Sequence, residues 1–168
     1  MADQYRLYIV RHAIAEARGE AYPDDTQRPL SSKGTAKFRK VVRGLKALDV
    51  SVDCILSSPL VRARQTADIL AAGLRGHPEI VEVKALAPDG SYRELCAELS
   101  KLTRLSSIAR VGHEPSIGEL AARLIGLKPA LEFKKGAVCC VEPDTLPPTG
   151  PSRLVWYATP KMLASIGG

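Results

Sequence analysis

The chain has 168 residues, 45% of them hydrophobic and 25% charged, with 24 Lys and Arg against 18 Asp and Glu for a net charge of +6. These proportions belong to an ordinary globular domain and exclude a collagen, a coiled coil and a disordered chain. The length predicts one domain over 1–168, long enough to bury a core without staples. No apolar run approaches the ~20 residues of a membrane-spanning helix, and the opening Met-Ala-Asp-Gln-Tyr-Arg leads into a strand-like run rather than a secretory signal.

The elements follow in chain order. Tyr5 to Val10 is rich in β-formers and reads as a strand. The polar stretch 11–30 is long for a loop, a length that often marks function. Ser31 or Ser32 caps a helix over 31–48, with Phe38, Val41, Val42, Leu45 and Leu48 at helical spacing. This segment holds Lys33, Lys37, Arg39, Lys40, Arg43 and Lys46 and no acid, while the rest of the chain carries equal numbers of basic and acidic residues. The whole net charge is therefore expected on the outer face of one helix.

Cys54 to Leu56 reads as a short buried strand. Ser58-Pro59 then starts a helix to about Leu74, with Ser58 as N-cap and Pro59 at the first helical position. Ile80 to Val83 is a strand, Ser91 to Leu102 a helix, Ser107 to Val111 a strand, and a helix follows His113-Glu114-Pro115 to about Ile125. Ala137 to Val141 and Leu154 to Ala158 are two late strands joined by a proline-rich connection. Strands alternating with helices predict a three-layer α/β/α sandwich around a mostly parallel sheet, whose sites form beyond the carboxyl ends of the strands.

The four cysteines, Cys54, Cys96, Cys139 and Cys140, form no C-x-x-C pair. Adjacent Cys139 and Cys140 in a strand should point to opposite faces. Neither a disulfide framework nor a zinc site is indicated, which favours a reduced, cytoplasmic setting.

Three strands end in residues able to do chemistry: Val10 leads into Arg11-His12, Leu56 into Ser57-Ser58, and Val111 into Gly112-His113. The remaining histidine, His77, lies in the turn sequence Gly76-His77-Pro78. Together, Arg11-His12, the run Ser58-Pro59-Leu60-Val61-Arg62-Ala63-Arg64-Gln65-Thr66-Ala67, Gly112-His113-Glu114-Pro115, and Arg28-Pro29-Leu30-Ser31 with Gly34 resemble the histidine phosphatase (phosphoglycerate-mutase-like) superfamily, in particular its compact SixA-like branch of phosphohistidine phosphatases. The matching elements span residues 5 to 118. The one departure is Ala13, where the family usually has glycine.

The resemblance implies a metal-independent phosphatase with no cofactor and a covalent phosphohistidine intermediate on His12. Arg11 and Arg62 would grip the phosphoryl oxygens, a task that suits guanidinium forks, and His113 would donate to another oxygen. Arg62 is preferred to Arg64 because it precedes Ala63, as in the family motif. Arg28 is a further phosphate-contact candidate. Most members carry an acidic residue after the third strand to protonate the leaving group. Here the segment is Leu86-Ala87-Pro88-Asp89-Gly90, so Asp89 is the candidate general acid, although Pro-Asp-Gly is also a turn sequence. An alkoxide needs a proton to leave, whereas a phosphoramidate nitrogen leaves more readily. A weak or missing acid therefore favours a phosphohistidine-bearing protein as substrate, with inorganic phosphate as product, over a small phosphate ester. The basic helix also admits an acidic-protein or nucleic-acid binding module. Aromatic residues are only 5%, and no stacking motif accompanies the patch, so specific nucleic-acid binding is not expected.

Overall fold

The computed structural model describes residues 4–168. Six strands form one sheet: β1 (Arg6–Arg11), β2 (Cys54–Ser57), β3 (Glu79–Glu82), β4 (Ser107–Gly112), β5 (Val138–Glu142) and β6 (Arg153–Ala158), in the order β3-β2-β4-β1-β5-β6. The four strands β1 to β4 run parallel, and β5 is antiparallel to both of its neighbours. Five helices flank the sheet: α1 (Ser32–Ala47), α2 (Val61–Gly73), α3 (Tyr92–Ser100), α4 (Ser116–Leu124) and α5 (Pro160–Ile166). This is the α/β/α sandwich expected from the alternation of strands and helices.

The inner strands β1, β2, β4 and β5 are buried on both faces, and their side chains alternate between two cores. Tyr8 and Val10 face Phe38, Val41, Val42 and Leu45 of α1 and Ala63, Ala67 and Leu70 of α2. Leu7 and Ile9 face Leu95 and Leu99 of α3 and Ile117, Leu120 and Leu124 of α4. Cys139 and Cys140 divide between the same two cores, as strand alternation requires.

Several boundaries differ from the sequence expectation for identifiable reasons. The helix after β2 begins at Val61 with Leu60 at the cap, not at Ser58-Pro59. The Ser58 N–H donates to the Val111 carbonyl at 3.0 Å and its hydroxyl is held by other partners, so this residue extends the strand end instead of capping. Helix α5 was not expected, yet Thr159 caps it by accepting the Met162 N–H, with Pro160 at the first position. Seven residues make a marginal helix alone, and packing holds this one. Leu163 is fully buried, worth about 1.5–3 kcal/mol. A Cβ on Gly44 of α1 would overlap the Leu163 carbonyl oxygen, so glycine there permits the approach of the two helices. Gly34 serves similarly: a Cβ would overlap the Ile14 carbonyl oxygen, the atom to which the Ser31 N–H donates at 3.1 Å.

Arg110 of β4 is a buried cation. It is fully buried and, among the described residues, its Nε, Nη1 and Nη2 have no hydrogen-bond partner. Burial pushes its pKa down to about 10, so it remains charged at neutral pH. A buried charge with no side-chain or backbone partner opposes folding. Arg110→Met should therefore raise the unfolding free energy by about 1–4 kcal/mol, read as a higher urea midpoint at unchanged slope. An equal or lower midpoint would contradict this reading.

Candidate active site

The order β2-β4-β1 sets the carboxyl ends of three parallel strands side by side. Arg11 pairs with Gly112, and Ser57 with Val111. The next residues continue the pattern, since the His12 N–H donates to the Gly112 carbonyl and the Ser58 N–H to that of Val111. Arg11, His12, Ser58 and His113 thus converge because their strands end at one level. The His12 and His113 ring centroids lie 5.1 Å apart, and both side chains are buried.

The His12 ring is fixed by its own backbone. Nδ1 lies 2.7 Å from the Ala13 carbonyl oxygen. A carbonyl only accepts, so Nδ1 carries the proton and the lone pair of the neutral ring is on Nε2. Burial, followed by the charges of His113, Arg62 and Arg11, pulls the His12 pKa down to about 3, although the bond to Ala13 acts in the other direction. Burial likewise brings His113 down to about 4, with Arg62 as the next cause. Both rings are neutral at physiological pH. His113 Nε2 lies 2.7 Å from the Ser58 hydroxyl, and its Nδ1 is buried without a partner.

Ala13, the one departure from the motif, is held by a side chain of α2. Its N–H donates to the Thr66 hydroxyl at 3.0 Å, and that hydroxyl donates to the Arg62 carbonyl at 2.7 Å. Thr66, on α2, was not singled out from the sequence. Its place in a motif with Arg62 one helical turn earlier was the available signal.

Arg11 donates from Nη1 to the Phe133 carbonyl at 2.6 Å, which leaves its buried Nε without a partner. Arg62 occupies the second position of α2, where the helix terminus adds positive potential. Its Nη1 donates to the Asp25 carbonyl at 2.9 Å, its Nη2 lies 3.1 Å from Asp25 Oδ2, and its Nε has no partner. Asp25 is a second residue missed from the sequence. It opens a single 3-10 turn (Asp25–Gln27), started by Asp24 accepting the Thr26 N–H, and so turns back onto Arg62. Asp25 also accepts from Arg28 Nε at 2.8 Å, and the Arg28, Arg62 and Arg18 guanidiniums hold its carboxyl below the usual range. Arg28 is buried, with Nη1 on the Glu16 carbonyl at 2.8 Å. The long loop is thereby tied to the arginines.

Asp89 lies exposed in the turn before α3 and makes no hydrogen bond or ion pair among the described residues. Glu114 follows His113, but its carboxylate lies against Gly118 in the first turn of α4, where it complements the helix terminus. No group of three or more His, Cys, Asp or Glu side chains converges as a metal site among the described residues. Two hollows flank the cluster. One, of about 150 Å³, opens beside His113 under Tyr92 and Arg123, whose guanidinium stacks 3.9 Å from the Tyr92 ring centre. The other begins at Ala13 and runs between α1 and α5.

Comparison with known proteins agrees with this arrangement. The family model of the histidine phosphatase superfamily (branch 1) matches residues 7–119. An uncharacterized protein of Picosynechococcus sp. is 42% identical over 118 residues, covering 68% of this chain and 70% of that one. The phosphohistidine phosphatase SixA of Escherichia coli is 27% identical over 157 residues, covering 92% and 94%. A structure of the protein histidine phosphatase SixA complexed with tungstate superposes with a TM-score of 0.82 at 26% identity, over 93% of this chain and 97% of that one. The chain is a phosphatase of the histidine phosphatase superfamily, on its SixA-like branch.

Proposed function

We propose that this phosphatase hydrolyses phosphohistidine on a protein, by way of a phosphoryl group carried on His12. The observation that supports it most is the bond from His12 Nδ1 to the Ala13 carbonyl, which leaves Nε2 as an unprotonated nucleophile in a pocket of arginines. The Nε2 lone pair attacks phosphorus as the bond from phosphorus to the substrate's imidazole nitrogen breaks. That nitrogen takes a proton from water. A second water then attacks phospho-His12, releasing inorganic phosphate, and its remaining proton balances the hydroxide left by the first step. His12 returns to its neutral form.

Phosphoryl transfer depends chiefly on position and charge stabilisation. Arg11 and Arg62 each retain a buried, unpartnered Nε–H for the equatorial oxygens. Donation of the Ser58 hydroxyl proton to His113 Nε2 places the ring proton on Nδ1, free to donate to a third oxygen. Arg28, with Nε and Nη1 engaged, keeps Nη2 for a peripheral contact. The chemistry needs no carboxylic acid. Asp25 is held ionised by its arginines and is a poor proton donor, and an exposed Asp89 can serve only if a substrate brings its leaving group to it.

Purified protein should release phosphate from a phosphohistidine-bearing phosphotransfer domain, and His12→Ala should lower that rate about 10³-fold or more. Strong turnover of one sugar or nucleotide ester, with none of the phosphoprotein, would instead assign a small-metabolite phosphomonoesterase. Full activity of His12→Ala would remove the proposed nucleophile.

The neutral rings also have a thermodynamic signature. In the unfolded chain both histidines protonate near 6.5, but in the folded protein only near 3 and 4. Between those values the unfolded chain binds more protons, so stability falls as pH drops below 6.5. The slope is about 1.4 kcal/mol per pH unit for each histidine. Unfolding free energies measured across this range should show that slope, and replacing His12 and His113 by Asn should flatten it. An equal slope in the double variant would contradict the neutral assignment.

A further inference from the structure

The six basic residues of 31–48 do not share one surface. Arg39, Arg43 and Lys46 border a hollow against α2 that also contains Asp68. Lys37 and Lys40 lie on the other side of the helix, where they border the groove between α1 and α5 together with Lys135 and Lys161. This second groove holds about 360 Å³, and no carboxylate lines it. Its accessible apolar lining comes from the half-buried Ile14, Pro160 and Ala164, with Phe38 and Val41 buried beneath them.

The groove lies beside the catalytic residues and touches their backbone neighbours. It begins at Ala13, whose carbonyl holds His12, and at Gly136, whose N–H donates to the carbonyls of Arg11 and His12. Gly136 has a φ of +85°, and a Cβ there would press on the Phe38 ring at 3.4 Å, so glycine shapes this end. Lys135 stands at the junction, where burial and then the charges of Arg11, Arg28, Arg18 and Arg62 lower its pKa. From Gly34 to Val41 the groove follows α1 for about 10 Å, farther than a phosphohistidine side chain with its phosphoryl group in the pocket would need.

We infer that this groove docks an acidic, amphipathic helix of the protein that carries the phosphohistidine, with its apolar face on Ile14, Pro160 and Ala164 and its carboxylates on Lys37, Lys40, Lys135 and Lys161. The inference rests on the phosphohistidine reading and specifies how the substrate is recognised. Helix-in-groove binding uses this combination of apolar floor and charged rim. Four lysines around the groove supply steering and register, so their effect is on capture of the protein and not on the phosphoryl step.

The test compares two charge reversals of equal size, Lys37→Glu/Lys40→Glu in the groove and Arg43→Glu/Lys46→Glu across the helix. The probes are an acidic phosphotransfer domain phosphorylated on histidine and the small molecule phosphoramidate. At low ionic strength the groove variant should lose about tenfold in kcat/KM on the domain, with its phosphoramidate turnover unchanged. The opposite-face variant should retain both activities. Equal losses from both variants, or none from the groove variant, would overturn the inference.

A second arm separates the groove from the reaction. Titration of the unphosphorylated domain into His12→Ala protein should show binding that Lys37→Glu/Lys40→Glu weakens by a similar factor. Binding that is absent or indifferent to the substitutions, or binding of anionic lipid vesicles instead of the domain, would also overturn it. If neither phosphorylated probe is turned over by the unsubstituted protein, the phosphohistidine reading fails separately, and this arm still decides the groove.

Discussion

The Ala13 carbonyl must point at His12 Nδ1 for the rest of the site to have its chemistry. Three restraints hold the backbone that leads into that carbonyl. The preceding residue continues β1 by donating to Gly112, the Ala13 N–H is fixed on Thr66 of α2, and the Gly136 N–H reaches back to the carbonyls of Arg11 and His12. Thr66 in turn bonds the Arg62 carbonyl, so one side chain ties the orientation of the imidazole to the helix that presents Arg62. Rotation of this peptide would free Nδ1 from its proton-holding partner and remove the preference for Nε2 as the free nitrogen.

Charge in the pocket is arranged around that neutral ring. Burial and the neighbouring guanidiniums disfavour the imidazolium, so the ring keeps a lone pair where an anion will arrive. The arginines are not left to repel one another alone. Arg11 rests on a carbonyl, and Asp25 gathers Arg62 and Arg28. The net charge of +6 arises elsewhere, on α1, and that helix is divided between a hollow that also contains Asp68 and a lysine-lined groove without a carboxylate.

Much of this was legible in the sequence because it depends on where strands end. Arg11-His12 and Gly112-His113 follow runs of β-formers, and adjacency of β1 and β4 brings them together without any long-range information. Arg62 was legible through its motif. Asp25 was not, because its approach to Arg62 depends on one 3-10 turn within a long polar stretch. Ser58 has the composition of a helix cap, and only the position of His113 shows that its hydroxyl is used across the site. The short α5 lay below the length at which periodicity is informative, and without it the basic face of α1 read as one surface. The groove exists because α5 covers part of that helix.

The central claim is that the phosphoryl group passes through Nε2 of His12. The most direct measurement is to quench turnover of a phosphohistidine-bearing domain in alkali, which preserves phosphohistidine. The enzyme, labelled with nitrogen isotope in its histidines, is then examined by phosphorus-coupled NMR. A phosphoryl group on His12, coupled to Nε2, is the expected result. A group on Nδ1, or turnover with no phosphorylated enzyme at any time, would contradict it.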